Sequence, residues 1–267
     1  MSFLIFIFGL AIGSFLNVLI FRLPENKTIL GFSKCPGCRK RISWYDNIPV
    51  LSFLFLKGRC RRCKSKISWQ YPLVELLTGV LFLVYFLTRF RGDGSFSSLI
   101  YGLFIISLLI VIGVIDFKHF IIFNKLVLTG FIAAVLILLF FPFYSIAGGD
   151  VMMIEPFCSI VSCFPENSFY GLFFFAGILL FIFLISKGRW LGFGDVSVGA
   201  LLGFTFGLKN SINVFYLTFF IGFIIAIILL VFKKAGLKSK VPLGSLMALA
   251  SILFLLSGFN LLDFLGL

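Results

Sequence analysis

Two acidic residues, Asp116 and Asp195, have the setting in which side chains can do chemistry. Asp195 stands in Gly192-Phe193-Gly194-Asp195-Val196, a glycine-flanked break between two long apolar runs, and Asp116 ends another apolar run. Two carboxyl groups in one site can hydrolyse a peptide bond, because one takes a proton from water while the other donates to the scissile carbonyl. Their close approach keeps both from ionising together. The pair therefore predicts aspartic protease chemistry, provided that the fold brings the two acids together.

Two other interpretations of these acids stay open on the residues alone. Asp195 would serve as the N-cap of a helix that starts at Val196, because a carboxylate accepts hydrogen bonds from the free N–H groups of a helix start. Acids among apolar runs also line ion paths in transporters and channels. Such acids usually lie near the middle of the membrane, whereas Asp116 and Asp195 stand at the edges of apolar runs.

Four cysteines form a second group with recognisable chemistry. Two Cys-x-x-Cys pairs, separated by 21 residues, consist of Cys35, Cys38, Cys60 and Cys63. This spacing is typical of a tetrahedral four-cysteine zinc site, which would supply folding energy to a loop that is too short for a core of its own. The alternatives are two disulfides or idle thiols, and a reducing cytoplasm argues against disulfides.

The elements that carry these groups are apolar helices. The chain is 61% hydrophobic with 39 Phe, and its mean hydropathy is +1.16. No soluble fold hides that much apolar surface, and backbone hydrogen bonding in lipid favours helices. We expect an all-α polytopic bundle of about eight transmembrane helices, with the first span retained rather than removed as a signal peptide. The predicted spans are 2–21, 71–88, 96–115, 120–143, 168–186, 196–208, 213–232 and 241–257.

The distribution of positive charge predicts the orientation of these spans. Together with Lys125, four segments hold 20 of the 23 Lys and Arg, namely 22–70, 116–119, 187–195 and 233–240. The positive-inside rule puts these segments in the cytoplasm and the N-terminus outside. Asp116 and Asp195 then lie on the same, cytoplasmic side. The predicted domains are a first transmembrane helix (1–21), a cytoplasmic zinc-binding loop domain (22–70) and a transmembrane peptidase domain (71–267).

The net charge of +13 could indicate a nucleic-acid partner. Topology and anionic lipid explain the charge of the first loop instead, so we expect the lipid bilayer and no nucleic acid as its partner. Other polar residues are few. Glu75, inside the second span, is a functional candidate by default, and Asn17 is expected to join helices. His119 is the single His, so the chain lacks the ligands for a histidine-based zinc-protease site. Cys158 and Cys163 form either a disulfide or two free thiols.

The chain also resembles a known family, the bacterial type IV prepilin peptidases. The resemblance runs along nearly the whole chain and is densest over 13–79. It is carried by both Cys-x-x-Cys pairs and by the motifs Gly13-Ser14-Phe15-Leu16-Asn17-Val18, Arg22-Leu23-Pro24, Trp44-Tyr45-Asp46-Asn47-Ile48-Pro49-Val50-Leu51-Ser52, Tyr71-Pro72-Leu73-Val74-Glu75-Leu76, Ile115-Asp116, Gly192-Phe193-Gly194-Asp195-Val196 and Pro242-Leu243-Gly244. The stretch before Val196 is also similar to the Gly-x-Gly-Asp intramembrane proteases, which include presenilin.

The resemblance implies an activity, a cellular location, and residues for catalysis, metal binding and methyl transfer. Such enzymes sit in the bacterial inner membrane and cleave the basic leader from prepilins or pseudopilins at the cytoplasmic face. They commonly methylate the new N-terminus with S-adenosylmethionine. Asp116 and Asp195 then take the catalytic roles, the four cysteines hold structural zinc, and Glu75 is assigned to the site of the methyl donor. Two positions depart from the family pattern, Ser197 in place of Lys and Phe123 in place of Pro.

Overall fold

The computed structural model describes residues 1–90, 96–146, 165–232 and 242–257. Helices dominate these residues and no strand forms within them; the pairing between extended segments is limited to two isolated bridges. The helices are α1 (Ser2–Arg22), α2 (Leu51–Phe55), α3 (Gln70–Tyr85), α4 (Phe96–His119), α5 (Asn124–Ile146), α6 (Pro165–Ser186), α7 (Phe193–Val231) and α8 (Leu243–Ser257). A 3₁₀ turn (Trp44–Asn47) precedes α2, and a π-helical turn (Phe86–Phe90) extends α3. Cys158, Cys163 and the basic segment 233–240 lie outside the described residues.

Several of these helices are long and apolar enough to cross a membrane, which makes the chain a multi-pass membrane protein. Within the described part of the chain there are five, Ser2–Arg22, Gln70–Arg89, Leu99–His119, Asn167–Ser186 and Phe193–Val231. Shorter apolar helices cover Asn124–Leu136 and Leu243–Ser257. The all-helical architecture is as predicted, whereas the count of about eight spans is not confirmed.

The chain divides into two compact units, Met1–Arg91 and Gly92–Leu267. In the first unit, α1 and α3 pack through glycines. A Cβ at Gly9 would lie 2.7 Å from Cα of Gly79, and one at Gly13 would lie 2.7 Å from Cα of Glu75. Small residues four apart let two backbones approach closely, which is how helices associate in lipid.

The segment between α1 and α3 is tied to both helices. At the end of α1, the guanidinium of Arg22 donates to five backbone carbonyls of residues 28–32, at 2.8 to 3.3 Å. Farther along, Phe53 of α2 is buried, and its ring lies 4.8 Å from the ring of Trp69 at the start of α3. These contacts fold the first loop back onto the ends of the helices that carry it.

In the second unit, α4 is the most buried of the membrane-length helices that the structure describes, and most of its side chains between Leu99 and Asp116 are buried. Glycines again allow close packing. A Cβ at Gly130 of α5 would meet Leu108 and Leu201, while one at Gly113 of α4 would lie 3.1 Å from Cβ of Ala248 on α8. The four helices that meet through these contacts are α4, α5, α7 and α8.

Helix α7 is 39 residues long and reverses direction at Gly207, whose φ is 70° and ψ 177°. The hydroxyl of Ser211 donates to the carbonyl oxygen of Gly203 at 3.3 Å, although residues eight apart in a straight helix are separated by about 12 Å. Phe175 of α6 likewise contacts both Gly199 and Phe215, which are equidistant from Gly207 in sequence. The helix is therefore a hairpin, and its two arms coincide with the predicted runs 196–208 and 213–232.

The conformation of Gly207 gives the first prediction. Replacing Gly207 with Ala should destabilise the protein by about 1–3 kcal/mol, because the region with this φ and ψ is essentially restricted to glycine. The matched control is Gly177→Ala in α6, since a Cβ there meets nothing within 4 Å. Thermal unfolding in detergent should show a lower Tm for the first variant and no decrease for the second. Equal Tm values would contradict the hairpin.

Candidate active site

The site lies where three helix ends of the second unit come together. Asp116 is three residues from the end of α4, Asp195 is the third residue of α7, and Gly244 is the second residue of α8. The chain thus leaves α4 and enters α7 and α8 at one place. Free backbone N–H groups at the two helix starts are available there to hold carboxylates.

Asp116 is buried, with 4% of its surface exposed. Its Oδ2 accepts a hydrogen bond from the backbone N–H of Ser245 at 2.8 Å. A carboxylate so deeply buried is costly unless polar partners satisfy it, and the start of α8 supplies them. Sequence reasoning named Gly244 only as part of a motif and missed Ser245 altogether, because the donor is a backbone group 129 residues away along the chain.

Asp195 is half-buried at the start of α7. The helix begins at Phe193 with Gly192 as its N-cap, so the interpretation of Asp195 as the N-cap before Val196 is wrong by three residues. Its Oδ2 instead reaches back and accepts the N–H of Gly192 at 3.1 Å. That bond fixes the side chain while the other oxygen keeps its capacity to accept or donate.

Gly244 lies against Oδ2 of Asp116, and Ile122 contacts both Gly244 and Gly194, the residue directly before Asp195. The structure therefore brings together the helix ends that carry the two acids. An N-cap role of Asp195 alone would not require the helix end with Asp116 to lie nearby.

Two positions beside the acids have room only for glycine, because neighbouring atoms lie too close for a Cβ. A Cβ at Gly244 would lie 2.9 Å from both Oδ2 of Asp116 and Cδ1 of Ile122, and one at Gly194 would lie 2.8 Å from Cβ of Ile122. Ile122 thus forms an apolar wall against both glycines. Sequence reasoning missed it, since an isoleucine near the start of the predicted apolar span 120–143 carries no distinguishing signal.

In the first unit, the four predicted cysteines come together. Their Sγ atoms all lie within 4.8 Å of one another, and those of Cys35 and Cys63 are 3.7 Å apart. A tetrahedron with a metal–sulfur distance near 2.3 Å has edges of about 3.8 Å. None of the four forms a disulfide. The donor set and its dimensions fit a metal ion.

The two cysteine turns have the same backbone structure. In the first, Cys35 N–H donates to Lys40 and Arg39 N–H donates to Cys35; in the second, the same bonds link Cys60 with Ser65 and Lys64. Arg39 and Lys64 both have a positive φ, at 56° and 59°. An N–H of Cys38 and the hydroxyl of Ser65 lower the pKa of Cys35 to about 6. A thiol that ionises readily suits metal ligation.

The remaining predicted residues have surroundings of their own. Glu75 is 7% exposed, and its Oε2 accepts the N–H of Val50 at 2.7 Å. The side chain of Ser14 also bonds to it. Asn17 donates to the carbonyl oxygens of Gly13 and Tyr71, and so links α1 to α3 as expected. His119 is exposed at the end of α4.

Taken together, these features define a multi-pass helical membrane protein with a carboxylate pair at converging helix ends and a four-cysteine cluster. Two family models match the chain, the bacterial peptidase A24 N-terminal domain over residues 7–89 and the type IV leader peptidase family over residues 103–227. The chain belongs to the type IV leader peptidase family, which confirms the resemblance noted from the motifs. No solved structure gives a significant match.

Relatives with assigned names agree with this placement. The chain is 31% identical to a prepilin leader peptidase/N-methyltransferase of Bacillus subtilis, over 98% of this chain and 96% of that protein. It is 34% identical to a type 4 prepilin-like proteins leader peptide-processing enzyme of Escherichia coli, over 91% and 89%. It is 42% identical to a prepilin leader peptidase/N-methyltransferase of Myxococcus xanthus, in a match that covers 56% of this chain and 43% of that relative.

Proposed function

We propose that the protein is a membrane aspartic endopeptidase that removes the basic leader from prepilins or pseudopilins, and that Asp116 and Asp195 are its catalytic residues. The observation that carries the proposal is the convergence of the helix ends that hold these two acids, where Gly244 lies against Asp116 and Ile122 contacts both Gly244 and Gly194. Family membership and the names of the relatives support the substrate class. They do not favour a transporter or channel.

The proposed chemistry uses one carboxyl as base and the other as acid. The base takes a proton from a water molecule whose oxygen attacks the scissile carbonyl carbon, while the acid protonates the carbonyl oxygen. The resulting diol collapses: the C–N bond breaks, the amine nitrogen takes up a proton, and a new carboxyl group forms. The backbone bonds to Asp116 and Asp195 hold both side chains in place, which keeps the reacting geometry preorganised.

We place the protein in the bacterial inner membrane with the N-terminus outside and the site at the cytoplasmic face. The charge distribution of the sequence supports this orientation. A prepilin with a basic leader followed by an apolar helix would present its leader at that face. Eight spans remain our proposal for the topology, and the reversal of α7 at Gly207 supports counting its arms separately.

The proposal predicts that Asp116→Asn and Asp195→Asn each lower prepilin cleavage by at least 10²–10⁴-fold, since each removes an acid–base group. The matched control is Ser197→Ala, two residues after Asp195 in α7, whose hydroxyl donates to the carbonyl of Phe193. Cleavage of a co-expressed prepilin, followed by gel mobility at equal enzyme levels, measures the effect. Normal processing by the Asp195→Asn protein would refute the assignment.

We further propose that the protein methylates the new N-terminus with S-adenosylmethionine, as the names of relatives suggest. The amine nitrogen attacks the methyl carbon, the carbon–sulfur bond of the sulfonium breaks, S-adenosylhomocysteine leaves, and the amine loses a proton. We assign Glu75 to this reaction. Its carboxylate is already bonded to Val50 and Ser14, so we propose that it positions the donor site through the turn at Val50.

The role of Glu75 predicts a separation of the two activities. Glu75→Ala should abolish methylation because the N–H of Val50 loses its acceptor, whereas Glu75→Gln keeps an acceptor oxygen and should retain most methylation. Both variants should cleave normally, because the proposed catalytic pair lies in the other unit. Mass spectrometry of the processed pilin N-terminus measures the methyl group. Full methylation by Glu75→Ala excludes a role, and loss in both variants indicates direct contact with the donor instead.

We propose zinc as the ion for Cys35, Cys38, Cys60 and Cys63. Four thiolates at tetrahedral spacing suit Zn²⁺, and the ion would act structurally because no ligand position is left open. Between α1 and α3 the segment has few buried apolar side chains, so metal binding would supply much of its folding energy.

The zinc proposal predicts one ion per chain in the wild type and a marked loss in Cys38→Ser. Cys158→Ser is the control, since it removes a thiol that does not belong to the four. Elemental analysis gives the stoichiometry, and limited trypsin digestion reports on the loop, which is rich in Lys and Arg. Chelation should accelerate cleavage of the loop. Undiminished zinc in Cys38→Ser would rule out this cluster as the binding site.

A further inference from the structure

Helix α2 presents an apolar face to its surroundings. Leu51, Leu54 and Phe55 are 51%, 62% and 82% exposed, whereas Phe53 between them is buried. The spacing i, i+3 and i+4 puts the three exposed side chains on one side of the helix. A soluble loop does not gain from an apolar face of this kind, and exposed apolar patches mark sites of interaction.

The apolar face extends to the neighbouring 3₁₀ turn. A cavity of about 220 Å³ lies between this turn and α2, lined by apolar side chains of both and by the polar side chains of Asp46, Ser52 and Arg61. Ile48, Leu51 and Phe55 line it together with Tyr45, so their exposed surfaces are contiguous. Trp44 packs edge-on against Tyr45 and is 82% exposed. We call the surface of Trp44, Ile48, Leu51, Leu54 and Phe55 the α2 patch.

Two contacts set the depth of α2 relative to the membrane helix α3. The N–H of Val50, directly before α2, donates to Glu75, which lies five residues or about 7.5 Å along α3. That distance matches the thickness of one interfacial layer, about 5 to 8 Å. The ring of Phe53 contacts Trp69 at the first turn of α3, and Trp is enriched in that layer. With α3 entering the bilayer at its first residue, these contacts put the start of α2 at the level of the lipid headgroups.

The charges around the patch suit anionic lipid. Residues 22–70, all of which the structure describes, contain 12 Lys and Arg and two acids, Glu25 and Asp46. Each acid is paired, with Lys27 and Arg61 respectively. Lys57 and Arg59 follow α2 directly and have no ion pair among the described residues. An apolar face with adjacent cations is the composition of interfacial helices.

We propose that the α2 patch is a membrane-docking surface: α2 lies in the headgroup layer with Leu51, Leu54 and Phe55 directed toward the acyl chains, and its neighbouring cations contact anionic lipid phosphates. The occupant of the patch is the bilayer, which both membrane helices of this unit already enter on either side of the loop. This inference rests on the membrane helices and does not depend on the proposed peptidase activity.

The full-length protein in nanodiscs tests the proposal. A reporter, Phe55→Trp, is introduced with Trp44, Trp69 and Trp190 changed to Phe, and its emission is measured with brominated phospholipids and with iodide. In bilayers containing phosphatidylglycerol, bromine should reduce emission about twofold or more, with little effect of iodide. The matched control adds Leu51→Asn and Leu54→Asn beside the same reporter and should reverse this pattern.

Each other outcome overturns the inference. Quenching by iodide but not by bromine would place the patch in water. Protection from both quenchers would mean that protein, either a partner or a second copy of the chain, covers it. For the cations, replacement of phosphatidylglycerol by phosphatidylcholine, or added salt, should weaken the quenching by bromine. Quenching that is unchanged by lipid charge and salt would contradict the contact with phosphates.

Discussion

The convergence of three helix ends around the backbone N–H groups of Gly244 and Ser245 is the constraint on which the second unit depends. A carboxylate as buried as that of Asp116 needs donors, and in lipid the free N–H groups of a helix start are among the few available. The start of α8 meets that need, and it can do so only because Gly244 lacks a side chain. The same contact therefore packs α8 against α4 and fixes the position of Asp116.

Small residues recur at the helix contacts of both units. Lipid tails are as apolar as the helices, so association gains little from the hydrophobic effect and depends on close packing. Gly9 and Gly13 serve this purpose in the first unit, and Gly113 and Gly130 in the second. Large apolar side chains remain exposed along α1, α3 and α6, as expected for surfaces that face lipid.

Groups with specific chemistry were predictable from the sequence, and their partners were not. The Cys-x-x-Cys spacing predicts the sulfur cluster because each turn holds two ligands locally, and the apolar runs predict helices because lipid leaves no other choice. The backbone donors of Asp116 lie far away along the chain and have no side-chain signature. The start of α7 was misplaced by three residues, since Gly192 and Gly194 suggested a break where the helix already runs. The span count could not be settled by apolar length alone, as the hairpin at Gly207 shows.

The account stands on the proximity of two carboxyl groups, and the direct measurement is their separation in an experimental structure of the protein in a lipid nanodisc. We predict that carboxyl oxygens of Asp116 and Asp195 lie within about 6 Å, the span of two hydrogen bonds through one water, with the N–H of Gly244 beside both. A separation beyond about 10 Å, with α8 displaced from Asp116, would leave no room for a shared water and would contradict the account.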